Sequence, residues 1–167
     1  MRLATLADIE QIHFLVEEAK QLMQQDNNPQ WDANYPVLED FKKDIHEQAL
    51  YVLDEDNIIK GFIVKNRDMP EWYDQFDWPL NREHVLVIHR LVASSRYPGT
   101  AQILMDYAIS NAQQQQMTAL LTDTFSKNQR AQKFFMKHHF IKIGEMQSDI
   151  FPFDKGEPFY AYYKILN

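Results

Sequence analysis

No cysteine occurs among the 167 residues. That excludes disulfide frameworks, cysteine-based zinc sites, iron–sulfur clusters and a thiol nucleophile, and it suits a reducing compartment, the cytoplasm. Glycine is scarce as well, at four residues, and neither a Gly-x-Gly-x-x-Gly fingerprint nor the Gly-Lys-Ser/Thr of a Walker A loop is present. No apolar run approaches the ~20 residues that a membrane span needs. The start, Met1 to Asp8, has no basic segment leading into a long apolar stretch, so neither a signal peptide nor a membrane partner is expected. Positive charge is the minority: 17 Lys and Arg against 24 Asp and Glu leave a net −7. Nucleic acid is therefore not an expected partner, because duplex binding rests on clustered cations that neutralise phosphate.

A chain of this length buries roughly 70% of its open-chain surface on folding, enough for a real core, and one domain over residues 1–167 is expected. The negative charge is uneven. Residues 1–83 hold 18 acids and 8 bases, net −10, whereas residues 84–167 hold 6 acids and 9 bases, net +3. The spacing Ile9, Ile12, Leu15, Val16, Ala19, Leu22, Met23 predicts an amphipathic helix, introduced by Thr5 and Asp8 and stopped at Asp26-Asn27-Asn28-Pro29. A loop holding Trp31, Tyr35 and Pro36 leads to a second helix over about 38–48. Tyr51-Val52-Leu53 and the run 58–64 flank Asp54-Glu55-Asp56-Asn57, a β-hairpin signal. Residues 66–83 form a connection rich in Trp, Tyr, Pro and acid, of a length that is uncommon in compact domains and often functional. The run 85–92 reads as a buried central strand, and Ala101, Leu104, Ala108 and Ala112 mark a third helix. A strand at 119–124, a helix over about 128–138 and strands at about 140–146 and 159–165 complete the order β-α-α-β-β-β-α-β-α-β-β.

The stretch Val92-Ala93-Ser94-Ser95-Arg96-Tyr97-Pro98-Gly99-Thr100-Ala101 lies where the central strand turns into its helix. A glycine there permits close backbone approach, and the free amides and dipole of a helix's first turn favour an anionic phosphate. With a single glycine, geometry alone favours an ordinary strand-to-helix turn over an anion site.

Arg96-x-x-Gly99-x-Ala101, following Arg90-Leu91-Val92-Ala93, resembles the Q/R-x-x-G-x-G/A motif of the GNAT superfamily of N-acetyltransferases. About thirty residues on, Asn128-x-x-Ala131-x-x-Phe134-Phe135 and then His139-Phe140 resemble that family's N-x-x-A-x-x-F-Y-x-x-x-G-F stretch, and the element order is also the family's. The resemblance implies an α/β (α+β) fold with a mixed, mostly antiparallel sheet of about seven strands flanked by about four helices. It also implies a cleft between the fourth and fifth strands that takes acetyl-coenzyme A. Its pyrophosphate would lie on the turn formed by Arg96, Tyr97, Gly99, Thr100 and Ala101, and its pantetheine arm along Leu91, Val92 and Ala93. The amide at Leu91 would face the thioester carbonyl and stabilise developing negative charge. Asn128 and Phe135 are further cofactor contacts on this reading, Asn128 doubling as a helix N-cap. Arg90, Arg96, Lys127, Arg130, Lys133, Lys137 and Lys142 form a basic window suited to the anionic cofactor.

Phe135 stands where many members carry a tyrosine that protonates the departing thiolate, and His139 stands where glycine usually precedes phenylalanine. The acceptor amine poses the larger energetic problem. A lysine-like amine of pKa ~10.4 loses its proton at pH 7 at a cost of roughly 4.6 kcal/mol, so a base is expected. His89, on the central strand, titrates near neutrality and is one candidate, its alternative being a hydrogen-bonded core histidine. Glu83 and Asp123, at strand ends, are further candidates for base or amine binding. The acceptor side is expected to draw on Trp31, Tyr35, Trp72, Tyr73 and Asp123, where aromatic faces and carboxylates suit a cation. The same residues also suit a hydrophobic plug or a homodimer contact. The expected activity is direct acetyl transfer from acetyl-coenzyme A to a small-molecule primary amine. The alternatives are a non-catalytic acyl-coenzyme A-binding domain, which Phe135 suits, and acetylation of a protein N-terminus or an aminoacyl-tRNA.

Overall fold

The computed structural model of the chain describes residues 1–166. The strands are β1 (Arg2–Leu3), β2 (Leu50–Glu55), β3 (Ile58–Asn66), β4 (Val85–Ala93), β5 (Ala119–Phe125), β6 (Ile141–Met146) and β7 (Phe159–Ile165). They form one sheet in the order β1-β2-β3-β4-β5-β7-β6. Every neighbouring pair is antiparallel except β4–β5. Four α-helices accompany the sheet: α1 (Ile9–Gln25), α2 (Leu38–His46), α3 (Thr100–Gln114) and α4 (Gln129–Lys137). This is the mixed, mostly antiparallel architecture that the family resemblance implies.

Local chemistry explains the boundaries. The hairpin between β2 and β3 turns at Asp56 and Asn57, both at positive φ (55° and 64°), the pair of left-handed positions that a two-residue hairpin turn requires and that Asp and Asn tolerate. α2 stops at His46 rather than 48, because Gln48 adopts φ 55° and leaves the helix. α4 starts one residue later than expected, since Asn128 is its cap: its Oδ1 accepts from the Ala131 N–H at 3.1 Å. At the other end His139 takes φ 61°, its N–H donates to Met136 O, and the Phe140 N–H donates to Phe135 O, both at 3.0 Å. That is a Schellman ending, sealed by the Phe135 and Phe140 rings with centroids 5.6 Å apart. The histidine in the usual glycine position therefore concerns the turn and not the site.

The sheet's two faces are covered differently. On one, Ile12, Leu15 and Val16 of α1 and Phe41 of α2 pack against Val52, Phe62, Val64 and Val92. On the other, Leu104, Met105, Ala108 and Ala112 of α3 and Phe135 of α4 pack against Ile63, Leu86, Ile88 and Leu120. The rest of the first face, Val85, Val87, Ala119, Leu121 and Ala161, is covered by the aromatic connection, through Tyr73, Trp72, Phe76 and Trp78. Gly61 lets α3 sit close to the sheet: a Cβ there would lie 2.6 Å from Val92 O and 2.7 Å from Thr100 Cγ2. Register against β3 slips by one residue at His89, since Val64 pairs with Arg90 but Lys65 with Ile88. The bulge resets the alternation of β4 and turns Arg90 toward α2. There its Nη1 meets Asp44 Oδ2 at 2.5 Å.

A left-handed conformation costs an L-residue energy that glycine does not spend, while glycine costs more unfolded-chain entropy. His139→Gly is expected to stabilise the protein by about 0.5–1 kcal/mol, read from urea unfolding. A stability loss would show that the His139 side chain contributes more than its backbone strain costs.

Candidate active site

The parallel pairing of β4 with β5 runs only from Val85↔Ala119 to Ile88↔Thr122. The Thr122 hydroxyl, which donates to Ile88 O at 2.9 Å, is the last tie. Beyond it β4 stays with β3 as far as Ala93 and β5 with β7 as far as Phe125, so a gap opens between them. The Ser94 N–H donates to Lys60 O, which fixes the phase of the β3–β4 ladder. Arg90 and Val92 direct their backbone groups to β3, and Leu91 and Ala93 direct theirs into the gap. A cavity of about 550 Å³ occupies it, walled by His89 to Ala93, by Thr122 to Thr124, by α1 and by Asn128, Phe134 and Phe135.

At one end lies the strand-to-helix turn. Gly99 takes φ 89°, which brings the chain into α3 with the first-turn amides facing outward. The turn already holds an anion of the chain's own. Glu18 of α1 accepts from the Ser95 N–H at 2.9 Å and from the Ser95 and Ser94 hydroxyls at 2.5 and 3.0 Å, with Arg96 Nη2 at 3.7 Å. Burial pushes the Glu18 pKa up, but these donors outweigh it and hold the carboxyl below its ordinary value. Arg96 lies over the Phe14 ring, 4.8 Å from its centroid. Farther along, Asp26 at the end of α1 pairs with Arg130 of α4 (Nη2–Oδ1 3.0 Å), spanning the mouth of the cleft.

A second cavity, of about 260 Å³, meets the first and shares Gln30, Trp31, His89, Arg90 and Asp123 with it. It is lined further by Asp40, Asp44 and Glu47, by Asn66 and Asp68, and by Tyr35, Pro152 and Phe153. At the junction, Asp123 follows buried Leu121 by two residues and so points to the same face of β5. Its Oδ2 accepts from the Tyr73 hydroxyl at 2.8 Å. Burial raises its pKa to about 6, against the Tyr73 hydrogen bond, which lowers it. His89 Nε2 lies 2.6 Å from Asn66 Oδ1, so that nitrogen carries the proton and Nδ1 the lone pair. Burial and then the charge of Arg90 lower the His89 pKa to about 4, which makes it a neutral, weak base.

The sequence-derived residues divide accordingly. Leu91, Val92, Ala93, Ala101, Asn128 and Phe135 line the larger cavity. Arg96, Tyr97, Gly99 and Thr100 shape the turn without lining it; Thr100 donates through its hydroxyl to Tyr97 O at 2.8 Å. Trp31 and Asp123 stand at the junction and Tyr35 lines the second cavity. Glu83 lies in neither. It is exposed in a short 3-10 turn, with Nδ2 of Asn81 on its carboxylate, and it precedes β4, whereas the gap opens at the other end of that strand. Trp72 lines neither cavity; it packs against the rings of Tyr73, Phe76 and Phe153. Tyr73 is fully buried and reaches the site only through Asp123. The aromatic connection is thus a cover for the sheet. Asn128 has its amide nitrogen on Gln30 Oε1 at 2.7 Å. Arg90 serves the second cavity, bonded to Asp44 and to the Tyr35 hydroxyl. Among the described residues no tyrosine lines the larger cavity. Glu18, Asp26, Gln30 and the 147–158 loop carried no recognisable pattern, because they join the site through long-range contacts such as Lys155 to Asp32 at 2.7 Å.

An open sheet with a gap between parallel β4 and β5 and a strand-to-helix turn at its end agrees with the acetyltransferase fold that the motif resemblance implies. Residues 13–140 match the Acetyltransferase (GNAT) family, and the chain belongs to that family. A candidate acetyltransferase of Staphylococcus aureus Mu50 is 44% identical over 99% of this chain and 98% of its own, with a TM-score of 0.78. A GNAT family acetyltransferase of Streptococcus agalactiae 2603 is 26% identical over 99% and 94%, with a TM-score of 0.85. A ribosomal-protein-alanine N-acetyltransferase of Brucella melitensis, 16% identical over 99% and 98% at a TM-score of 0.68, shares the fold. None of the curated proteins matches the sequence. Among the described residues no helix is long and apolar enough to cross a membrane.

Asp123 leaves a thermodynamic signature that needs no substrate. Its pKa is about 6 in the fold against about 3.9 unfolded. The stabilisation from its extra proton is complete below about pH 4 and is lost as pH rises to about 6. His89, lowered to about 4, acts oppositely across the same window: its contribution is present above about 6.5 and lost as pH falls. Asp123→Asn removes the first effect alone. That variant is expected to exceed the parent in stability by about 1–3 kcal/mol at pH 8 and to lose the advantage below pH 4, measured by urea unfolding across pH. A pH-independent difference would show that Asp123 titrates in the fold as it does in the unfolded chain.

Proposed function

We propose that the protein transfers the acetyl group of acetyl-coenzyme A directly to a primary amine of a small, cationic molecule, in a complex that holds both. The observation that carries this reading is the meeting of the two cavities at a half-buried, ionisable carboxylate, Asp123. Bound in the larger cavity, acetyl-coenzyme A supplies an activated acetyl thioester. The chain's own residues fit that group. Leu91 and Ala93 offer unpaired strand-edge amides along the gap, and the turn from Ser94 to Ala101 offers the donors that now satisfy a carboxylate. An amide of the Leu91–Ala93 segment would stabilise negative charge developing on a carbonyl oxygen placed beside it.

Asp123 carries the acceptor's proton problem. An ammonium placed at the junction is attracted by the carboxylate, while the burial that raises the Asp123 pKa lowers that of the ammonium. The two values converge, and the carboxylate accepts the proton as nitrogen attacks. His89, neutral with a free Nδ1, orients the acceptor rather than deprotonating it. In the second cavity Asp44 is paired with Arg90 and Glu47 with Lys43, which leaves Asp40 and Asp68, with Asp123, to favour a positively charged molecule. Pro152 and Phe153 limit its size, which supports a small molecule over a folded protein or a tRNA. With no tyrosine at Phe135, the leaving thiolate, of pKa about 8.5, takes its proton from solvent. The absence of cysteine supports a cytoplasmic setting.

A thiol-capture assay suits this chain, which has no cysteine of its own. Purified protein with acetyl-coenzyme A should release thiol with small mono- and diamines at higher kcat/KM than with zwitterionic or anionic amines, and Asp123→Asn should cost about 10²–10⁴-fold. Tight coenzyme A binding without thiol release from any amine would instead make the protein a non-catalytic acyl-coenzyme A binder. For the cofactor, Glu18→Gln removes the charge that competes for the turn, and coenzyme A should then bind about 3–10-fold more tightly by calorimetry, a modest share of one charged hydrogen bond. Weaker binding in that variant would assign Glu18 to bracing the turn.

A further inference from the structure

Within the 66–83 connection the aromatic residues Trp72, Tyr73, Phe76 and Trp78 cover the sheet beneath the junction and line neither cavity, yet Tyr73 sends one polar atom to the site. We propose that Tyr73 is a positioning residue for acetyl transfer: its hydroxyl holds the Asp123 carboxylate in place at the junction of the two cavities and keeps it in the form that accepts a proton. This rests on Asp123 being the proton acceptor.

The Tyr73 ring is fully buried, in contact with Val85, Val87 and Leu121 of the sheet. Trp72 meets it edge-on at 4.7 Å between centroids, and Trp78 lies at 5.3 Å on another side. The Trp78 indole N–H donates to Tyr73 O at 2.7 Å, fixing the backbone as well. A side chain held on so many sides has no other rotamer to visit, so the hydroxyl is spent on Asp123 Oδ2 and leaves Oδ1 to the acceptor. The direction of the bond is settled by chemistry. Burial and the neighbouring carboxylate keep the phenol protonated well above its ordinary range, so it always donates. A donor to a carboxylate favours the ionised form.

The other groups around Asp123 leave this bond as the adjustable one. From β4 come His89, uncharged above about pH 4, and Arg90, tied to Asp44. From the α1–α2 loop comes Tyr35, bonded to Arg90. Asp68 lies farther along the second cavity. The residue opposite on β7 is Ala161, which brings no charge. Across pH 5 to 8 His89 stays neutral and Arg90 stays charged, and the carboxyl signal that Asp123→Asn removes reports Asp123 directly.

The test compares the parent, Tyr73→Phe and Asp123→Asn in two measurements. One is a carbon-13 carboxyl titration of aspartate-labelled protein, with the Asp123 signal assigned by its loss in Asp123→Asn. The other is the pH profile of kcat/KM with acetyl-coenzyme A and ethylenediamine as probe. Losing one hydrogen bond to the charged form moves the Asp123 midpoint up from about 6 by about one pH unit. kcat/KM should then fall about 5-fold at pH 6 and less than 1.5-fold at pH 8.5, with KM for acetyl-coenzyme A unchanged. A merely structural role would lower activity equally at every pH and leave the midpoint in place, and that result overturns the proposal while leaving Asp123 as acceptor. Full activity in Asp123→Asn overturns the underlying reading, and the carboxyl titration still decides whether Tyr73 sets the ionisation. Trp78→Phe, which frees the Tyr73 backbone but keeps the hydroxyl, should move the midpoint the same way by less. It serves as the test should Tyr73→Phe fail to fold, and an unmoved midpoint there overturns the proposal.

Discussion

β4 and β5 lie parallel for four register positions and then separate because each is committed to its other neighbour, β4 to β3 and β5 to β7. Unpaired backbone groups inside a sheet are costly unless something else satisfies them. At the gap the sheet gives up hydrogen bonds on Leu91 and Ala93 and gains a slot in which an extended ligand can take the place of a strand. The rest of the site is arranged around that slot. The turn after β4 closes one end with Gly99 and the start of α3, α1 and α4 form its sides, and the junction with the second cavity lies at the point of separation. The bulge at His89 belongs to the same design, since without it Arg90 would face α3 instead of Asp44.

Two carboxylates govern the ends of this system, and their environments are opposite. Glu18 is surrounded by donors, two hydroxyls, an amide and a guanidinium, which hold its carboxyl below the ordinary value. Asp123 has one donor and sits half-buried over the apolar face of the sheet, and its ionisation is pushed toward neutrality. The first condition suits a place-holder on an anion site; the second suits a group that must exchange a proton. Burying an ionisable carboxylate with a single partner costs stability near neutral pH. The aromatic cover beneath it, with Tyr73, Trp72, Phe76 and Trp78 packed ring against ring, supplies apolar burial that offsets that cost.

Much of the fold was legible because its signals are local and periodic. The Ile12, Leu15 and Val16 stripe, the run 85–92, the Asp56-Asn57 turn and Arg96-x-x-Gly99-x-Ala101 each point to one structure. Asp123 was legible too, since it sits two residues beyond Leu121 at the end of a strand. Trp72 and Tyr73 were not, because a pocket rich in aromatics and acids has the same composition as a plug made of them, and only their place over Val85, Val87 and Leu121 separates the two. Glu83 was misread for a geometric reason: it adjoins the right strand at the wrong end. Glu18 and Gln30 are polar residues on a helix and a loop with no pattern around them, and their importance comes from partners 77 and 98 positions away.

The uneven charge of the sequence acquires a different meaning in the folded chain. The second cavity draws Asp40, Asp44, Glu47 and Asp68 from the acidic half, but a division of acidic half to one cavity and basic half to the other does not hold throughout. Glu18 and Asp26, from the acidic half, line the larger cavity, and Asp123, from the basic half, supplies the junction carboxylate. Most of the basic window is already paired, with Arg90 on Asp44, Arg96 near Glu18, Lys127 on Glu157 and Arg130 on Asp26. Three of those pairs join the two halves across the sheet. The charge asymmetry is therefore partly a folding complementarity: the N-terminal helices carry the acids that meet the bases of the C-terminal half. The acids of α1 thus meet the turn after β4 and the start of α4 through a few contacts, and those contacts hold α1 against the open side of the gap.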